Sequence, residues 1–191
     1  MISDTHLPSV IRQLDELGPQ MAGFLASVDL ILHAGDVTAP SVLEWCGQFG
    51  PILVTRGNND LFEHPRMEDV QIFDAEGWRV GMVHQLRPES RPIPVLLDHH
   101  LGGERVDVLI AGDTHLERLE YRDQVVFLNP GSPTLPHHKE YRLGTVGLLE
   151  LEPAELRAEI RLLGHTPGSP NPGRARRIAL RRGADGIAAQ V

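Results

Sequence analysis

Cysteine is almost absent from this chain of 191 residues: Cys46 stands alone, so no internal disulfide can form. Its place in the apolar stretch 41–49 marks it as a buried thiol rather than a nucleophile, and a reducing cytoplasm is the expected compartment. Long apolar runs are missing too. None approaches the roughly 20 residues that cross a bilayer, and no basic-then-apolar leader opens the chain, so neither a membrane nor export is expected. Lysine is reduced to Lys139 alone against 17 arginines, a bias from which no function follows. Positive charge is short overall. The formal net charge of -8 argues against general nucleic-acid binding. The shortage is uneven, because Arg174, Arg176, Arg177, Arg181 and Arg182 face the single acid Asp185 in residues 164–191. The remainder is therefore more acidic than the whole, an excess that bound divalent cations would partly neutralise.

What is present is enough for one domain with a real core, since 41% of the residues are hydrophobic. Only Met1-Ile2 precedes Ser3-Asp4-Thr5-His6, so a first strand is either truncated there or its start is trimmed or misassigned. A helix is predicted from Pro8 through Val10, Ile11, Leu14 and Leu17, with proline suited to the first turn. Strands at 28–33 and 51–55 enclose a helix at 41–49, a β-α-β run that calls for a parallel sheet. Further on, strands are expected at 70–73, 79–83 and 106–111, with a helix at 92–101. Antiparallel pairs follow at 118–121 with 125–128, and at 145–151 with 155–163. In the last of these Leu156, Ala158, Ile160 and Leu162 alternate with charged residues, the pattern of a half-buried strand. The Pro- and Gly-rich stretch from Gly164 marks a linker. Beyond it the arginine-rich segment is expected to be a short basic helix, a flexible tail, or a piece that packs on a neighbouring subunit or anionic partner.

The residues able to carry chemistry sit just past these strands: Asp4-Thr5-His6, Gly35-Asp36, Gly57-Asn58, His84 and Gly112-Asp113-Thr114-His115. In α/β sheets, ligands bind beyond the carboxyl ends of strands. Asp-x-His in extended backbone points two side chains into one cleft, and the glycines permit close approach to a crowded centre. Carboxylates with several imidazoles suit Mn, Fe or Zn better than Ca. Each piece alone has an ordinary reading: Asp36 as a helix N-cap, Asn58-Asn59-Asp60 as a turn, His84 as a core histidine. Their order and shared placement are what single them out.

In that order, and with Asn129-Pro130-Gly131-Ser132 behind them, the motifs resemble the calcineurin-like metallophosphoesterases, in particular the small bacterial and archaeal phosphodiesterases. The resemblance covers residues 1–163. It implies a four-layer αββα sandwich of two mixed sheets flanked by helices, followed by a tail at 164–191. It also implies two divalent metal ions. Asp4, His6 and His115 would hold the first, Asp36 would bridge, and Asn58, His84 and Asp113 would complete the second. Two ions about 3.5–4 Å apart clamp a phosphate and supply hydroxide near neutral pH. The implied reaction is hydrolysis of a small or nucleotide-like phosphodiester, and a homo-oligomer is a further possibility.

Four positions depart from the family pattern. Asp113 stands where a histidine is usual, which favours harder ions: Mn²⁺ first, with Fe, Ni or Zn as the other candidates. Asn59 stands where many relatives place the histidine that protonates the leaving group, and an amide cannot donate that proton. Asp60 and His64 are the nearby candidates for an acid, while Asn58 serves both metal and phosphate. Gln85-Leu86 replaces Gly-His after His84. Arg56 is read either as a phosphate contact or as the partner of an acidic surface group, and His137-His138 as a pair able to line the cleft. The competing readings are a phosphomonoesterase and an interaction scaffold. A retromer subunit of the same fold is a scaffold of that kind.

Overall fold

A computed structural model describes residues 1–8 and 11–183, together with the backbone of residues 186–190. The first third follows the expected βα alternation with shorter elements. These are α1 (Gln20–Leu25), β1 (Ile31–His33), α2 (Pro40–Cys46), β2 (Ile52–Thr55) and the two-residue β3 (Met67–Glu68). The three strands run parallel in the order β1-β2-β3. The helix predicted from Pro8 does not form. Leu14–Leu17 make one 3-10 turn, and Gly18, at φ 131°, followed by Pro19 interrupts the chain before α1. Val10, part of that expectation, lies outside the described residues. α2 begins at Pro40 and no side chain caps it, so the reading of Asp36 as its N-cap is not realised.

Five more strands form a second, mixed sheet: β4 (Val70–Ala75), β5 (Trp78–Val83), β6 (Val108–Ile110), β7 (Arg118–Arg122) and β8 (Val125–Asn129), in the order β4-β5-β6-β8-β7. β5, β6 and β8 are parallel, and every residue of β6 and β8 is buried. Such continuous apolar runs belong to strands covered on both faces. The cover on the outer face is α3 (Ile93–His100), which buries Ile93, Leu96 and Leu97.

Met1 and Ile2 are too few to make a strand, yet they complete a ladder. Ile2 N donates to Leu32 O at 2.9 Å, and Gly147 N donates to Met1 O at 2.9 Å. The pair thereby links β1 to β9 (Thr145–Glu152), which pairs with β10 (Glu155–Leu162). The parallel and antiparallel portions thus become one layer. Packing follows in three clusters. Ile2, Leu25, Val42, Leu43 and Cys46 lie between the first helices and this layer. Leu32, Trp78, Val80, Val108, Leu156 and Leu180 fill the space between the two layers. Leu96, Leu97, Leu109 and Phe127 lie under α3. The result is the four-layer αββα sandwich. Cys46 is fully buried, and burial pushes its thiol up to about 12, which leaves it unreactive. No helix among the described residues is long and apolar enough to cross a membrane.

The arginine-rich segment is neither a helix nor a loose tail. Arg176–Gly183 form β11, antiparallel to β10, and Gly186–Gln190 form β12 at its edge. Ile178 and Leu180 pair with Ala158 and Leu156 on the core side. Arg182 lies with its guanidinium 3.7 Å from the centre of the Trp78 ring and donates to Gly77 O. On the opposite face Arg177 and Arg181 pair across the strands with Glu159 and Glu155. Main-chain pairing, burial of two aliphatic side chains and a cation over an indole together fix a segment whose charge alone suggested freedom.

Candidate metal centre

The carboxyl ends of the parallel strands open on one edge of the sandwich. Asp36 follows β1, Asn58 follows β2, His84 follows β5, and Asp113 and His115 follow β6; Asp4 and His6 follow the Met1–Ile2 ladder. Five of these seven residues have left-handed backbone: Asp4 (φ 56°), His6 (47°), Asp36 (55°), Asp113 (70°) and His115 (55°). L-residues avoid that region, and strain of this kind gathers at functional sites. Glycine is required where loops meet. A Cβ on Gly57 would stand 2.1 Å from Asp36 N, and one on Gly112 would stand 1.9 Å from Ser3 Oγ.

Asp4, His6 and His115 present ligand atoms within 4.8 Å of one another, and so do Asp4, Asp36 and His84. The Nε2 atoms of His6 and His115 are 3.0 Å apart, and His6 Nε2 is 3.3 Å from Asp36 Oδ2. His84 Nε2 is 3.4 Å from Asp36 Oδ1 and 3.1 Å from Asn58 Oδ1. Orientation comes from outside the cluster. His115 Nδ1 donates to Leu135 O at 2.8 Å, and His84 Nδ1 donates to Ala34 O at 2.7 Å. Each bond fixes the tautomer that aims an Nε2 lone pair inward, the usual outer support of a metal-binding imidazole.

The electrostatics point the same way. Burial, joined by the charges of Asp36 and Asp113, raises Asp4 well above the ordinary carboxylate range, against a bond from Ser3 that lowers it. Burial holds His115 down at about 4 and lowers His6 as well. Neutral imidazoles beside crowded, buried carboxylates make a donor set starved of positive charge, and a divalent cation fits it.

Asp113 is served differently. Arg87 Nε reaches Asp113 Oδ2 at 3.0 Å, and its Nη2 reaches both carboxylate oxygens at 2.8 Å. Gln85 Nε2 donates to Asp113 Oδ1 at 2.8 Å and to Asn58 Oδ1 at 2.6 Å. Burial works to raise Asp113, but the bonds from Arg87 and Gln85 and the charge of Arg87 outweigh it and hold the carboxyl below the usual range.

Several residues around the centre have roles the sequence did not assign. Asn59 donates from its backbone to Asp36 Oδ1 (2.9 Å) and from its side chain to Asp36 Oδ2 (2.6 Å), so it orients the candidate bridging carboxylate. Asp60 is not placed as an acid. It is buried and accepts from the backbone amides of Asp36 (3.1 Å), Gly57 (2.7 Å) and Thr38 (2.7 Å), which ties two ligand loops together. His64 does not reach the cleft either. Its Nδ1 accepts from Arg66 N, and its ring lines a separate groove with Leu43 and Glu44. Arg56 takes the surface reading, bonded to Phe62 O, Glu63 and Asp69. His138 lines the cleft and stacks on His115 with ring centres 3.7 Å apart, whereas His137 turns to Glu117. The Asn129–Ser132 motif is a buckle. Asn129 Nδ2 donates to Gly112 O, and Ser132 Oγ donates to Asp4 O, both at 2.8 Å. Adjacency to a ligand along the chain was the sequence signal for Asn59 and Asp60, and the Asn129–Ser132 motif was the signal for the buckle.

Comparison with known proteins agrees with this architecture. The family model described as the calcineurin-like phosphoesterase superfamily domain matches residues 1–154. A probable metallophosphoesterase of Methanothermobacter thermautotrophicus is 34% identical over 165 residues, covering 84% of this chain and 89% of that protein. One from Methanocaldococcus jannaschii is 34% identical over 139 residues, covering 71% of this chain and 68% of that protein. Among solved structures, Vps29 of Entamoeba histolytica, in complex with Zn²⁺, has a TM-score of 0.70 at 22% identity, covering 93% of this chain and 96% of that one. A predicted phosphoesterase of Streptococcus pneumoniae has a TM-score of 0.64 at 20% identity, covering 93% and 94%. At such identities the last two speak for the fold alone.

Proposed function

We propose that this chain, which belongs to the calcineurin-like phosphoesterase superfamily, hydrolyses a small or nucleotide-like phosphodiester at a centre of two divalent metal ions, Mn²⁺ first among them. The observation that carries the reading is the oriented donor set. His84 and His115 have their Nδ1 atoms committed to Ala34 and Leu135 carbonyls, and their free Nε2 atoms converge on buried Asp4 and Asp36. Asp4, His6 and His115 would hold one ion, Asn58, His84 and Asp113 the other, with Asp36 between them. When bound, the ions would polarise the phosphate and lower the pKa of a water molecule.

The chain's own residues position and shield. Asn59 and Asp60 hold the Asp36 loop against the Gly57 loop. Asn58 is exposed at the cleft, where its amide can also meet a phosphate oxygen. His138, stacked on His115, walls one side. Asn59 is engaged with Asp36 and cannot protonate a leaving group. That supports diesters with good leaving groups over monoesters of poor ones. Asp113 supports a preference for harder ions, because a carboxylate replaces a softer imidazole.

The test is to strip the protein of metal, restore Mn²⁺, and assay bis(p-nitrophenyl) phosphate beside p-nitrophenyl phosphate. Metal-dependent turnover that favours the diester is expected. Absence of turnover on either ester would point to a scaffold, faster monoester hydrolysis would reassign the substrate class, and strongest activation by Zn²⁺ would overturn the metal preference.

A further inference from the structure

The two ends of the donor set differ in what fills the space between their oxygens. Around Asp4, His6 and His115 no protein cation among the described residues is bonded to the Asp4 carboxylate. Asp4 accepts from the Ser3 side chain and from the backbone N–H of Asp113, the latter at 3.1 and 3.2 Å, and its nearest basic group among the described residues, His115 Nε2, is 3.7 Å away. At the other end the oxygens of Asp113 and Asn58 are already bonded by the N–H groups of Arg87 and Gln85. Buried Leu86 anchors the intervening backbone, so residues 85 and 87 both turn to the cleft. The Arg87 side chain is 68% exposed, and among the described residues its ion pair is with Asp113.

We infer that Arg87 and Gln85 hold the second cation position in reserve. The first ion enters freely, whereas the second enters only by displacing the guanidinium and the amide from Asp113 and Asn58. This rests on the two-metal reading above and deepens it. The charges set the order of loading. One divalent ion together with Arg87 balances Asp4, Asp36 and Asp113. A second divalent ion leaves a positive excess of two, which an anionic diester and hydroxide would offset. The second ion is therefore weakly held until an anion arrives. Arg87 also carries the charge lost to the His-to-Asp departure at position 113: a carboxylate there needs a partner whenever the metal is absent, and a neutral imidazole does not.

The experiment is a Mn²⁺ titration of metal-stripped protein without substrate, read by calorimetry and by electron paramagnetic resonance of free Mn²⁺. Wild type is expected to bind one equivalent tightly and a second at least about tenfold more weakly. Arg87→Ala is expected to tighten the second equivalent by about tenfold or more, and Gln85→Ala by less. Asp113→His, which removes the arginine's partner, is expected to bring the two affinities together. Two equivalents of equal affinity in wild type would overturn the inference, as would an unchanged or weakened second equivalent in Arg87→Ala. Metal is counted here without turnover. A protein that loads in this order but hydrolyses nothing would refute the phosphodiesterase reading alone, and an active protein with two equal sites would refute this inference alone.

Discussion

The two ends of the centre come from one motif set, yet they solve the same electrostatic problem in different ways. At the Asp4–His6–His115 end, Asp4 and His115 are buried and His6 half-buried, burial keeps the imidazoles neutral, and burial joined by the charges of Asp36 and Asp113 raises the Asp4 carboxyl. At the Asp113 end, the carboxylate lies at the cleft mouth and takes its compensation from Arg87 and Gln85. The first end is incomplete without a cation. The second is self-sufficient until something displaces its side-chain partners. Similar residue types at similar spacing thus do not imply equal affinity, because the neighbours decide whether a ligand is free.

The sharpest way to break this comparison is to remove one ligand from each end. His115→Ala is expected to abolish the tight Mn²⁺ equivalent and cut diester turnover by roughly a thousandfold or more, the several kcal/mol a Lewis-acid ion contributes. Asp113→Ala is expected to cost about tenfold, since that end is only loosely loaded. Metal content by plasma mass spectrometry beside the rates decides it. Equal losses, or a larger loss for Asp113→Ala, would erase the distinction between the ends.

A second, smaller test concerns what joins the ends. Asp60 accepts three backbone amides from the Asp36 and Gly57 loops. Asp60→Ala leaves those donors without partners, so a loss of about 2–5 kcal/mol in stability is expected by urea denaturation, with turnover falling alongside. Asp60→Asn retains acceptor capacity on one oxygen and is expected to recover part of both. Full stability of Asp60→Ala with turnover alone abolished would restore the catalytic-acid role that the sequence suggested.

How far the sequence reached follows the same division. The candidate ligands stood out in the sequence because each is a chemically specialised residue placed at a strand end, and strand ends in parallel sheets converge. The roles of the supports did not, because Asn59, Asp60, Gln85 and Arg87 are common surface residue types whose partners lie distant in sequence, and even the Asn129–Ser132 motif did not show that Ser132 bonds Asp4. Among the elements, β6 and β10 were readable from apolar continuity and alternation. β11 was not, because the inward position after Ile178 and Leu180 is Arg182, whose place is explained only by the Trp78 ring it covers. Of the helix expected from Pro8, only the 3-10 turn at Leu14–Leu17 forms among the described residues, and Gly18-Pro19 separates it from α1.

The smallest expected effect sharpens the comparison from beneath the first end. His33 is fully buried, and its Nε2 lies 3.2 Å from Thr5 Oγ1 in the loop that carries Asp4 and His6. Burial holds its pKa down at about 3, against about 6.5 in an unfolded chain. Between those values the unfolded chain binds a proton that the folded chain does not. The contribution of a neutral His33 is therefore complete above pH 6.5 and is lost as pH falls toward 3. By pH 4.5 the loss is about 2–3 kcal/mol. His115 acts in the same direction, whereas Asp4, with its raised pKa, acts in the opposite one. The measurement is therefore a difference: urea denaturation of metal-stripped wild type and His33→Gln at pH 7.5 and pH 4.5. Wild type is expected to lose about 2–3 kcal/mol more than the variant on acidification. Equal losses would show that the base of the first end tolerates a buried charge, and that its need for a cation arises in the carboxylates alone.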